Sequence, residues 1–178
     1  MESCVWNDAA VLRLNTGCPM KCRYCASGIL SPFSAGSPET LFEQFLFFHN
    51  RYGTSNFAFY DDALLFKKEK LFIPFLEKVI ESGIKADFYV PNALHIDYLD
   101  SYTVELMARA GFKEIRLGFE SSDPDFHDKY GRKYRSESFP ALAGMLAEKG
   151  FSGKAFTVYL LAGLPGQEAG EVEESVCY

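Results

Sequence analysis

The chain has 178 residues, 48% of them hydrophobic, which suits one domain with a buried core and excludes a disordered chain. Lysine and arginine number 18 against 24 acidic residues, and the net charge of -6 gives no electrostatic footprint for nucleic acid or an anionic membrane. The longest apolar runs, such as Phe156 to Leu164, are broken by Thr157 and Gly163 and fall short of the ~20 residues a membrane span needs, and no signal-peptide pattern opens the chain.

Val11 to Asn15 reads as a first strand. Ser37-Pro38-Glu39 then supplies an N-cap, a first-turn proline and an acid matched to the helix dipole, followed by apolar Leu41, Phe42, Phe45 and Leu46 and a stop at Gly53. A second strand covers Phe57 to Tyr60, and a helix is expected from about Lys68 to Ser82, with Pro74 requiring either a later start or a kink. Ala86 to Val90 forms the third strand, and the helix from Asp100 to Ala110 closes at Gly111. The fourth strand, Ile115 to Phe119, leads to a helical turn at Asp123-Pro124-Asp125 and a helix from Ser138 to Lys149. Phe156 to Leu161 is the fifth strand. Strands alternating with helices predict parallel pairing with right-handed crossovers, hence an α/β fold, either a barrel or an open sheet, whose chemistry gathers at the C-terminal strand ends. The aromatic excess of 17 Phe and 10 Tyr is assigned mainly to the core.

Cysteines carry the sharpest signal. Cys18, Cys22 and Cys25 fall within eight residues, a crowding that suits metal thiolates better than disulfides and places the protein in a reducing cytoplasm. Cys4 and Cys177 stand apart and read as structural or incidental. A structural zinc takes four protein ligands, whereas three thiolates on a cubane leave one iron open. The alternatives are a zinc site completed by His49, His95 or His127, or three unrelated buried thiols.

The stretch Asn15-Thr16-Gly17-Cys18-Pro19-Met20-Lys21-Cys22-Arg23-Tyr24-Cys25 resembles the cluster loop of the radical S-adenosylmethionine (SAM) enzymes, C-x3-C-x2-C with an aromatic before the last cysteine. The resemblance implies a four-iron four-sulfur (4Fe-4S) cluster held by Cys18, Cys22 and Cys25, with S-adenosyl-L-methionine chelated to the fourth iron. It further implies that one electron from the reduced cluster cleaves SAM to methionine and a 5'-deoxyadenosyl radical, which abstracts hydrogen from a substrate.

Tyr60-Asp61-Asp62 stands where the family usually has Gly-Gly-Glu, so Asp62 is expected to meet the methionine ammonium; aspartates here also serve as helix caps. Gly118-Phe119-Glu120-Ser121 is similar to the family's ribose-contacting segment, with Glu120 the expected acceptor and Gly118 either a close approach or a bulge. In Tyr130-Gly131-Arg132-Lys133, Arg132 suits the SAM carboxylate, and a solvated basic pair is the alternative. Asn92 can bond the cofactor or sit in a turn. Leu160 to Gln167 looks like the family's adenine-side motif, where Gly163 lets backbone approach, and Tyr24 is expected near the adenine.

The family core is a partial (β/α) barrel of TIM-barrel type with six strand-helix units, of which five are counted here. Residues 1 to 178 are therefore expected to form a radical SAM core domain lacking its sixth strand. The expected partners are a reductant such as flavodoxin or ferredoxin and an unidentified substrate, and no catalytic side chain is designated. The competing expectation is a cluster- or zinc-binding module without turnover, or an inactive fragment.

Overall fold

The computed structural model describes residues 9–131 and 139–178. The first half contains β1 (Ala9–Leu12), β2 (Asn15–Thr16), α1 (Ser27–Leu30), β3 (Ser34–Ala35), α2 (Pro38–Tyr52), β4 (Asn56–Phe59), α3 (Phe72–Ser82) and β5 (Asp87–Tyr89). The second half contains α4 (Ser101–Ala110), β6 (Ile115–Glu120), α5 (Pro124–Tyr130), α6 (Phe139–Glu148), β7 (Phe156–Leu160) and α7 (Ala169–Cys177). Among the described residues, no helix is long and apolar enough to cross a membrane.

Helix boundaries follow from capping chemistry. Ser37 Oγ accepts the Thr40 amide at 3.2 Å to open α2, and Gly53, at φ 68°, closes it. Asp100 does the same for α4 through the Thr103 amide at 2.7 Å, with Gly111 as the stop. Helix α3 begins at Phe72, not Lys68, so Pro74 falls in its first turn, where an amide N–H is not needed.

Strands β1, β4 and β5 pair in parallel in that order, as do β6 and β7. Between the two sheets the ladder shrinks to isolated parallel bridges, Phe88 with Phe112 and Leu94 with Leu117. Pro91, which has no N–H to donate, stands just past β5 where a continuous ladder would run. The α/β class with parallel strands is as expected. The expected barrel is not closed among the described residues, since β1 and β7 each pair on one side only. The first strand also ends earlier than the sequence suggests: Asn15–Thr16 leaves it to pair antiparallel with Ser34–Ala35, which brackets the cysteine loop.

The core is aromatic. Phe45, Phe57, Phe59, Phe75 and Phe88 are buried, with ring centroids 4.9 Å apart for Phe45 and Phe57 and 5.2 Å for Phe88 and Phe112. Burying each such side chain contributes roughly 1.5–3 kcal/mol, which makes this cluster the main glue between α2, α3 and the first sheet.

One buried cation lies at the edge of this core. Lys68, with a side chain only 7% exposed, donates to Tyr98 O at 2.6 Å and to Asp100 Oδ2 at 2.5 Å, joining the residues before α3 to the turn before α4. Burial pushes the Asp100 carboxyl up, but the Lys68 ammonium and the Thr103 donors outweigh it, and the carboxyl lies below its ordinary range. Lys68→Met leaves Tyr98 O and Asp100 without this donor and is expected to cost about 2 kcal/mol, or roughly 4–8 °C in Tm. A thermal melt unchanged from wild type would contradict that role.

Candidate active site

The cysteine loop leaves β2 at Gly17, whose φ of 68° and close approach to the carbonyl oxygens of Ser31 and Pro32 leave no room for a Cβ. Cys18, Cys22 and Cys25 are free thiols that line one cavity together with Asp62 and His95. Cys25 N donates to Cys22 O at 3.1 Å, and Arg23 N donates to Tyr130 O at 2.8 Å. A Cβ on Gly131 would lie 3.0 Å from Cys22 Cα and 3.5 Å from its sulfur, so the loop is seated against the C-terminal end of α5. Gly131 was legible only as a neighbour of Arg132; the close approach it permits is a long-range contact with no local signature. Arg132 and Lys133 lie outside the described residues.

Burial pushes the Cys18 thiol up, and negative charge at Cys22, Cys25 and Asp62 adds to that, against a lowering bond from the Met20 backbone. Deprotonated together, the three sulfurs would repel one another and the carboxylate beside them, and a bound cationic centre would relieve the repulsion. Among the described residues, no three His, Cys, Asp or Glu side chains converge as one metal ion requires. A cubane places each thiolate on a different iron and does not require such convergence, so this donor set fits a cluster. Of the histidines, His95 lines the cavity, whereas His49 Nδ1 bonds Thr54 O at 3.1 Å and His127 Nε2 bonds Ser121 O at 2.8 Å.

The two adjacent aspartates after β4 are put to different uses. Asp61 is buried, and its carboxylate accepts the amide of Asn15 at 2.6 Å and of Leu14 at 3.1 and 3.2 Å, stitching the end of β4 to the end of β1. Burial pushes its carboxyl up to about 6, against the lowering effect of those amides. Asn92 Nδ2 donates to Asp61 O at 3.2 Å, so its amide is engaged with the backbone. Asp62 is exposed, accepts the Ser27 hydroxyl at 3.3 Å and faces the cysteine cavity.

At the end of β6 the pairing register with β7 shifts between Gly118 and Glu120, which is the bulge that a glycine in this strand allows. Glu120 is 6% exposed and takes a φ of 68°, and Ser121 N donates across it to Phe119 O at 2.8 Å. A glutamate in this left-handed three-residue turn costs on the order of 1–3 kcal/mol, strain of the kind that accumulates at ligand sites. Tyr24 joins this turn to the cysteine loop. Burial pushes its hydroxyl far up, and the negative charges of Glu120 and Cys22 add to the rise, while its ring lies 6.2 Å from Phe126.

After β7, Gly163 has φ 85° and open space where a Cβ would be. Gln167 holds this loop: its Oε1 accepts the amides of Gly163 at 2.8 Å and Leu164 at 3.2 Å, and its Nε2 donates to Leu161 O at 3.1 Å. In the sequence Gln167 is legible only as the end of the Leu160 to Gln167 motif. Asp62 and Gly163 follow the C-terminal ends of β4 and β7, Glu120 ends β6, and Cys18, Cys22 and Cys25 lie between β2 and β3, the short pair beyond β1.

The model of the radical SAM superfamily matches residues 12–176. Among solved structures, the chain is similar to the radical S-adenosylmethionine methyltransferase TsrM from Kitasatospora setae with tryptophan substrate and a SAM analog bound, at TM-score 0.78 and 15% identity over 95% of this chain and 33% of that one. It is also similar to the cobalamin-dependent S-adenosylmethionine radical enzyme OxsB with aqua-cobalamin bound, at TM-score 0.69 and 16% identity over 94% of this chain and 26% of that one. At such identity the likeness is one of fold, and the chain spans a third or less of the length of these structures. No curated protein matches it. With the family pattern running from the last residue of β1 to the last turn of α7, the chain belongs to the radical SAM superfamily.

Proposed function

We propose that residues 1–178 form a radical SAM core domain in which Cys18, Cys22 and Cys25 hold a 4Fe-4S cluster and S-adenosyl-L-methionine occupies the open iron. The observation that carries this reading is the single cavity lined by the three free thiols and Asp62. When bound, the cluster and SAM would supply the chemistry: one electron, delivered by a reductant such as flavodoxin or ferredoxin, would cleave a carbon–sulfur bond to give methionine and a 5'-deoxyadenosyl radical able to take hydrogen from a substrate.

The chain's own residues bind and orient. Asp62, exposed toward the cavity, accepts the methionine ammonium, and Arg132 takes the carboxylate. Glu120 accepts the ribose hydroxyls from a buried position, where water competes least. Tyr24 packs beside the adenine, and Gly163 admits backbone along its edge. The thiols must stay free to hold the cluster, which puts the protein in a reducing compartment, the cytoplasm. The fold does not fix the substrate.

Among the described residues β7 pairs only with β6, and its open outer edge favours a second reading, in which the cluster is bound without turnover. Anaerobic reconstitution with iron and sulfide, reduction, and quantification of 5'-deoxyadenosine distinguish the two. SAM-dependent product is the expected result. A cluster-loaded chain that yields none would support the second reading, and a colourless protein retaining zinc would overturn both.

A further inference from the structure

We propose that Ser175, on α7, is a positioning residue for the SAM site, holding the strained turn that aims Glu120; the proposal rests on the reading of Glu120 as the ribose acceptor. Helix α7 is largely exposed, yet Ser175 is only 8% exposed. Its hydroxyl accepts the Ser122 amide at 3.0 Å and meets the Ser122 hydroxyl at 3.1 Å and the Ser121 hydroxyl at 3.4 Å. Its own proton goes to Glu171 O at 2.9 Å, so toward the turn Ser175 acts as an acceptor and the Ser122 groups as donors.

A left-handed glutamate persists only where its surroundings over-determine it. Three elements clamp this one. Just past β7, Leu161 N donates to Glu120 O at 2.9 Å, and from α5 His127 Nε2 donates to Ser121 O at 2.8 Å. Helix α7 fixes the residues immediately beyond through Ser175, and Tyr178 follows with its ring 5.7 Å from that of Phe119. Without the Ser175 acceptor, the Ser122 amide is left to find another partner and the turn can relax toward ordinary backbone, moving the carboxylate away from the ribose hydroxyls.

The test is SAM affinity, read from the SAM-induced change in the electron paramagnetic resonance signal of the reconstituted, reduced chain. Ser175→Ala is expected to weaken binding about tenfold, with iron content and the signal before SAM unchanged, and Ser175→Thr, which keeps the oxygen, to restore it. Because Ser175 acts through Glu120, Glu120→Gln with Ser175→Ala should bind no more weakly than Glu120→Gln alone, whereas a merely structural role would add its loss. Should Ser175→Ala not fold, the milder Ser122→Ala carries the same comparison with about a threefold loss. Normal affinity in Ser175→Ala beside a weakened Glu120→Gln overturns the proposal alone. Normal affinity in Glu120→Gln overturns the reading of Glu120 beneath it.

Discussion

Cys22→Ala is expected to abolish iron retention and 5'-deoxyadenosine formation while leaving the apo fold intact. Cys22 is partly exposed, packs its sulfur over Gly131 and has no disulfide partner, so trimming it removes little burial, within about 1 kcal/mol. Its loss leaves two thiolates, too few to hold a cubane that already offers one iron to an outside ligand. Cys18→Ala and Cys25→Ala are expected to behave alike, because all three thiols line the same cavity. The check pairs iron and sulfide content with a thermal melt of the apo protein. A variant that keeps its brown cluster, or one that unfolds, would place the cysteines in a structural role.

The adjacent aspartates should separate just as sharply in the opposite sense. Asp61→Ala strips the acceptor from the Leu14 and Asn15 amides and is expected to cost roughly 3–5 kcal/mol, a fall in Tm on the order of 10 °C. Asp62→Ala is expected to stay within about 0.5 kcal/mol of wild type, because its carboxylate is exposed, while losing SAM affinity. Asp61 also predicts a pH dependence. Its folded pKa of about 6 lies above the ordinary carboxylate value, so the stabilisation from proton uptake is fully present below about pH 4 and is lost as pH rises through 6. The urea-derived stability of wild type relative to Asp61→Asn should therefore fall between pH 4 and 7, by up to about 3 kcal/mol. A difference that rises over that window would mean the amides, not burial, dominate the carboxyl.

What was legible in the sequence is what local chemistry writes there. Ser37 and Asp100 announce helix starts through their side-chain oxygens, and Gly53, Gly83 and Gly111 announce stops through their left-handed backbone. The cysteine spacing and the order of strand-end motifs led to the family, and the glycine at Gly118 allowed for the bulge beside it. What was not legible depends on partners far along the chain. Asp61 and Asp62 are the same residue type side by side, and only the amides 46 and 47 residues earlier make Asp61 a clamp. Ser175 acquires its acceptor role from a turn 53 residues away. Nor does any local pattern place Gly131 against Cys22 or fold Gln167 back over its own loop. The break between the two sheets was likewise hidden, because Pro91 reads as a turn residue and its effect on the ladder depends on which strand lies beside it.

If three thiolates leave one iron open for S-adenosylmethionine, electron paramagnetic resonance of the reduced, reconstituted chain reads that open site. Addition of SAM should change the cluster signal of the wild type, with the change weakened in Asp62→Ala and the cluster itself absent in Cys22→Ala. A cluster signal indifferent to saturating SAM would mean that SAM does not reach an open iron, and would contradict this reading of the three cysteines.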